Sequence, residues 1–249
     1  MNTIEKAFFI LESVLAHQDS GLSFSEIVKP NNLPKSSAHR ILNLLVELGY
    51  LVFDQNSKKY RGSLQIAKLG ALVIENIDLR TVARPYLQRL HEMTGHTCHL
   101  GIINGTRGVY LDKIEPRTYG IRLFSAIGKD FPLHCTAMGK TLLAFSETAL
   151  KTQILTGKLD SFTEYTITDS AILADELEKV RKNGYAIDRE EITRGIVCVA
   201  APIINHKAEV VSSISVTFPS YLANERGMNK EIEAIINYAN QITGEIGGN

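Results

Sequence analysis

The stretch LSFSEIVKPNNLPKSSAHRILNLLVELGY, residues 22–50, reads as two short amphipathic helices around a tight turn. At about 100° per residue, Ala38, Ile41, Leu42, Leu45 and Leu48 share one face of the second helix. Ser36, His39, Arg40, Asn43 and Glu47 share the opposite face. The apolar face fits a core. The polar and basic face, entered through Lys35, Ser36 and Ser37, is what a helix-turn-helix offers to the major groove of DNA. Pro34 suits a first helical position, where its absent N–H is not missed. Asn31 or Asn32 can take a left-handed turn, and Gly49 ends the helix.

Immediately downstream, YLVFDQNSKKYRGSLQI (50–66) predicts two short strands around a turn at 54–59, a wing. Lys58, Lys59 and Arg61 lie there with no acid between them, as contacts to backbone phosphates require. Upstream, residues 2–17 predict a helix with Asn2 and Glu5 spaced as a capping box and Ile4, Ala7, Phe8, Leu11, Val14 and Leu15 on one stripe. Phe9 points the other way, either as a lone exposed aromatic or as part of a dimer contact. Residues 63–76 predict a connecting helix whose apolar residues cover most of its circumference, leaving Gln65, Lys68 and Glu75 as a polar strip. Such a helix packs on more than one neighbour, one of them in a second subunit.

Beyond residue 78 the pattern turns mixed. A helix over 79–94 ends at Gly95, and runs at 97–104, 108–115 and 120–127 read as strands. Helices are predicted over 136–145 and 170–183, the second capped by Gly184. Strands at 196–204 and 210–218 lead to a last helix over 220–243. The result is an α+β fold with divisions at 1–62, 63–77 and 78–249.

The bulk numbers narrow the class. With 249 residues the chain has room for two domains, and 44% hydrophobic content marks a globular protein. No apolar run approaches the roughly 20 residues of a membrane span, and no signal peptide is visible. Three widely spaced cysteines, Cys98, Cys135 and Cys198, form neither a disulfide framework nor a CxxC pair, so a cytoplasmic protein is expected. Net charge is zero, and residues 1–62 hold seven Lys and Arg against six Asp and Glu. DNA affinity must therefore come from local basic clusters and a doubled site.

The segment PLHCTAMGKTLLAF (132–145) contains GKT, yet a phosphate-binding P-loop needs glycine five places before Gly139, where His134 stands. What remains is a turn feeding a helix N-terminus at Thr136, Ala137, Met138 and Gly139, whose N–H groups and dipole suit a carboxylate. The bland alternative is simple packing of that helix on the sheet. His96, Cys98, His99, His134 and Cys135 could assemble zinc ligands, but without regular spacing. A nucleophile at Cys135 or Cys198 lacks an orienting third residue. No catalytic residue, metal or cofactor is assigned. Ser215 and Thr217, two apart, share one face of a strand.

Three ordered motifs, LPKSSAHRILNLLVELGYL (33–51), PLHCTAMGKTLLA (132–144) and NGYAIDREEITRGIVCVAAPI (183–203), resemble the IclR family of bacterial transcription regulators. The resemblance spans nearly the whole chain. It implies an N-terminal winged helix-turn-helix, a linker helix and a C-terminal GAF-like effector-binding domain with an antiparallel sheet. It implies a homodimer or dimer of dimers on palindromic double-stranded DNA. It also implies a small carboxylate effector held by the backbone N–H groups of Ala137 and Met138 and by Asp188, Cys198, Ser215 and Thr217. Met138 fills a place often given to smaller residues, which bears on pocket volume. Residues 99–140 most resemble members that respond to sugar acids such as 2-keto-3-deoxygluconate. The rivals are a small-acid enzyme or zinc protein with an incidental helical N-terminus, and a module that uses its wing for protein contacts.

Overall fold

The computed structural model of the chain describes residues 2–29, 33–75, 78–116 and 125–248. They fall into two compact units, Met1–Asn76 and Ile77–Asn249.

In the first unit, α1 (Thr3–Leu15) opens on the expected box: Asn2 Oδ1 accepts from the Glu5 amide at 2.9 Å, and Glu5 accepts from the Asn2 amide at 2.7 Å. A second box follows, where the Ser23 amide donates to Glu26 at 2.8 Å between β1 (Leu22–Ser23) and α2 (Phe24–Val28). Next come α3 (Lys35–Glu47), β2 (Leu51–Asp54), β3 (Lys59–Gly62) and α4 (Leu64–Glu75). The strands make an antiparallel sheet in the order β1-β3-β2. Ile10, Val14, Ile27, Ala38, Leu42, Leu45 and Leu51 fill the core, and Gly49 takes φ +78° at the end of α3. Residues 31 and 32, the expected turn, lie outside the described residues.

Four expectations are corrected. Pro34 caps α3 from outside, its carbonyl accepting from Ala38 at 3.0 Å. Leu48 is not core but 56% exposed. Ile4 and Phe8 are 69% and 61% exposed, whereas Phe9 packs against the core. The buried stripe of α1 runs through Ile10 and Val14, one step around the helix from the predicted one, because the unbroken apolar run AFFIL, residues 7–11, defines no single face.

The second unit begins with α5 (Asp78–Thr94), followed by β4 (Thr97–Asn104) and β5 (Arg107–Ile114). Then come β6 (Asp130–Phe131), α6 (Ala137–Phe145), α7 (Thr148–Thr156), α8 (Ser170–Asn183) and β7 (Ala186–Arg189). The unit closes with β8 (Ile196–Ile204), β9 (Val210–Pro219), α9 (Ser220–Arg226) and α10 (Asn229–Glu245). The sheet is antiparallel, in the order β6-β5-β4-β9-β8-β7.

Strand alternation divides its side chains between two faces. Cys98, Leu100, Val199, Ile214 and Val216 pack with Leu87 and Leu90 of α5 and Ile235 and Ile242 of α10. Ala186 and Ala200 face Leu142 of α6 and Leu177 of α8.

Here too the structure departs from expectation. Of the run at 120–127, residues 120–124 lie outside the described residues and 125–127 are not strand; the edge strand is β6. The last helix is two, broken at Gly227 with φ +72°. Helix α7 was not foreseen.

Candidate functional site

The polar face of α3 reaches solvent. Lys35, Ser36, His39, Arg40 and Asn43 are exposed and Ser37 is half-buried, while Ala38, Ile41, Leu42 and Leu45 are buried beneath them. Asn43 Nδ2 lies 3.2 Å from His39 Nδ1, and the Phe24 ring meets His39 edge-on at 5.7 Å. Asn43 and Phe24 thus hold the His39 ring at the exposed face of α3.

The wing is less uniform than its sequence suggests. Lys59 Nζ and Arg61 Nη2 donate to the Ser20 carbonyl at 3.1 and 3.4 Å, and Arg61 stands 3.9 Å from Asp54. Both cations tie the wing to the turn after α1. Lys58, at φ +54°, stands in the wing turn itself, its ammonium 3.3 Å from Gln55 Oε1.

The second unit holds a cavity of about 340 Å³. Its floor is the α6 face of the sheet. Strand register places Thr97, Thr217, Cys198 and Asp188 in one row across four strands, and His99, Ser215 and Ala200 in the next. Thr136, Cys198 and Thr217, all expected in the site, line the cavity; so do His99, Tyr110, Phe131, Phe162, Arg107 and Lys129, which were not. Phe131 lies flat over β4 and β5 because both strands carry glycine beneath it. A Cβ on Gly101 or Gly108 would fall 2.9 or 2.0 Å from its ring.

At the helix turn, Thr136 Oγ1 accepts from the Gly139 amide at 3.0 Å and donates to the Pro132 carbonyl at 2.8 Å. The Gly139 N–H is therefore already satisfied, which removes it from the expected set of carboxylate donors. Gly139 is needed for space: a Cβ there would meet the Pro132 carbonyl oxygen at 2.5 Å. Ala137 and Met138 are buried, and their side chains pack into the cluster shared with α8 instead of lining the cavity. The bulk of Met138 thus takes nothing from the pocket.

His99 is buried between two hydroxyls, with Nε2 2.8 Å from Ser125 Oγ and Nδ1 3.4 Å from Ser215 Oγ. Burial, with help from the Lys113 cation, pushes its pKa down to about 3, so the ring is neutral near pH 7. Thr217 Oγ1 donates to Cys198 Sγ at 3.2 Å, and burial raises the Cys198 thiol well above its ordinary range. That thiol is not a nucleophile.

Behind the cavity lies a charge cluster that sequence reading missed. Lys140 is 1% exposed and pairs with Glu191 at 2.5 Å and Glu176 at 3.4 Å. Asp188, fully buried, accepts from the Glu191 amide at 2.7 Å through Oδ1, while Asp188 Oδ2 and Glu191 Oε2 find no hydrogen-bond partner among the described residues. Burial first, then the Glu191 carboxylate, raises Asp188 to about 7. A lysine inside the otherwise apolar turns of α6 was the available signal, since a buried cation demands partners.

Cys98 and His99, adjacent on β4, point to opposite faces of the sheet. Among the described residues no three of His, Cys, Asp and Glu stand close enough to hold a metal ion, and no helix is long and apolar enough to cross a membrane.

Comparison with known proteins agrees with both units. The profile described as IclR helix-turn-helix domain matches residues 3–55, and that of the bacterial transcriptional regulator IclR C-terminal matches residues 71–244. The chain is 35% identical over 218 residues to the HTH-type transcriptional regulator XynR of Escherichia coli K12, covering 87% of this chain and 86% of that protein. It is 32% identical over 248 residues to KdgR of the same organism, covering 99% and 93%. The crystal structure of the Thermotoga maritima IclR superposes with a TM-score of 0.81 at 32% identity, covering 99% of each chain. With an exposed polar face on α3, a cavity in the second unit and a family match across both units, the chain belongs to the IclR family of bacterial DNA-binding transcriptional regulators.

Proposed function

We propose that the chain is a cytoplasmic homodimeric repressor, assembling further as a dimer of dimers, which a small hydroxylated carboxylic acid releases from a palindromic operator. Each dimer presents two copies of α3 to successive major grooves. Ser36, His39, Arg40 and Asn43 meet base edges; Lys35, Ser37, Lys58, Lys59 and Arg61 meet or support contacts to phosphates.

The observation that carries the effector reading is the composition of the cavity. One wall is aromatic, through Tyr110, Phe131 and Phe162, and the floor is hydroxyl and imidazole, through Thr217, His99, Ser125 and Thr136. Aromatic faces suit the C–H side of a sugar chain and the polar floor suits its hydroxyls. The amides of Ala137 and Met138 at the head of α6 supply the carboxylate seat, with Asp188, Cys198 and Ser215 completing the polar rows. A binding role is supported by the state of the groups that line the cavity: burial keeps the His99 ring neutral and the Cys198 thiol protonated.

Footprinting on the chain's own upstream region, repeated with 2-keto-3-deoxygluconate, glyoxylate and 4-hydroxybenzoate, tests this. Release by the sugar acid with a matching rise in melting temperature is expected. Release by the aromatic acid instead overturns the effector class, and the absence of any footprint overturns the operator reading.

A further inference from the structure

We propose that Asp112 is a positioning residue that locks the first two turns of α5 to the effector sheet, and thereby sets the spacing of the two DNA-binding heads in the dimer. The inference rests on the dimeric reading above and deepens it.

Asp112 is fully buried on β5, yet its carboxylate reaches α5. Arg84 Nη1 lies 2.7 Å from both of its oxygens and Arg80 Nε lies 3.4 Å from Oδ2. A β-bulge makes this possible. Leu100 of β4 pairs with Asp112 and Gly101 pairs with Tyr110, so Leu111 is an extra residue and strand parity shifts across it. Tyr110 therefore faces the cavity while Asp112, two residues later, faces α5. One short strand segment joins the cavity wall to the helix that follows the division between the two units.

The helix itself needs such an anchor. Pro85 lies inside α5, and without an N–H it cannot bond the Thr81 carbonyl, which loosens the turns before it from those after it. Arg80 and Arg84 both lie in the loosened part. Side-chain ion pairs to Asp112 take over the orientation that the backbone ladder gives up. Pressure on Tyr110 from an occupied cavity would displace Asp112, and with it the start of α5.

The test is operator binding by the full-length protein on DNAs whose half-site spacing is changed one base pair at a time. In the wild type, affinity should fall by roughly tenfold or more away from the natural spacing, because both heads must engage together. Asp112→Asn should flatten that profile while leaving affinity for a single half-site unchanged. Arg80→Gln with Arg84→Gln, at partly exposed positions, should do the same and serves if Asp112→Asn does not fold. Uniformly weaker binding with the wild-type profile retained would show that the ion pairs only stabilise the fold and would overturn the proposal. A wild type without any spacing optimum would instead remove the dimeric reading itself.

Discussion

Asp188 shows how a single buried group links this fold to pH. Its carboxyl ionises near pH 7 in the folded chain and near 3.8 when free, so between those values the folded state keeps a proton that the unfolded state has lost. Unfolding then releases a proton, and raising the pH favours it. Stability contributed at acid pH is lost as the pH climbs from about 4 to about 7 and is level above that. Glu191 is raised as well, by its own burial first, so the two carboxyls titrate as a pair. Asp188→Asn keeps the Oδ1 acceptor for the Glu191 amide but cannot ionise. Thermal melts at pH 5 and pH 8 should show the variant gaining on the wild type as the pH rises. Parallel slopes for the two proteins would mean that Asp188 does not titrate in this range.

At the level of elements, the wing separates cations that look equivalent in sequence. Each phosphate neutralised adds about one to the slope of log affinity against log salt. Lys58→Ala should lower that slope by about one per head. Lys59→Ala and Arg61→Ala should lower it less, since both side chains already donate to the Ser20 carbonyl; an equal loss from all three would mean that the Ser20 bonds give way on DNA.

What could be read in advance follows the same division. Strong local patterns were legible: the Asn2–Glu5 box, the polar face of α3, Gly49 and Gly184 as helix ends, and the strands at 196–204 and 210–218. Features that depend on what lies opposite were not. The face of α1 was misplaced because apolarity does not name its partner. Helix α7 has no buried residue to give it a stripe. Thr136, Cys198 and Thr217 were expected in the cavity they line, but Tyr110 and Phe131 meet there only through the pairing of β5 with β6, and Phe162 arrives from the connection between α7 and α8. Lys140 was seen as part of a failed phosphate motif and not as the counter-ion of Glu191.

At the scale of the whole molecule, neutral net charge and one exposed polar α3 face per chain make the proposed operator reading depend on a doubled site. The first unit carries apolar side chains suited to it. Ile4 and Phe8 on α1 are 69% and 61% exposed, and Leu64 and Leu69 on α4 are 79% and 43% exposed. Burying such a side chain fully contributes about 1.5–3 kcal/mol, so several together, counted twice across a symmetric contact, can offset the cost of association. Phe8→Ser combined with Leu69→Ser removes two of them without touching the core residues Ile10, Val14 and Leu42. On the dimeric reading proposed above, sedimentation should show monomer where the wild type sediments as a dimer, with the melting of the second unit unchanged. Affinity for a full palindrome should fall by at least about tenfold as the second head loses its tether, while affinity for a single half-site holds. A variant that still sediments as the wild type does would place the dimer contact elsewhere on the chain.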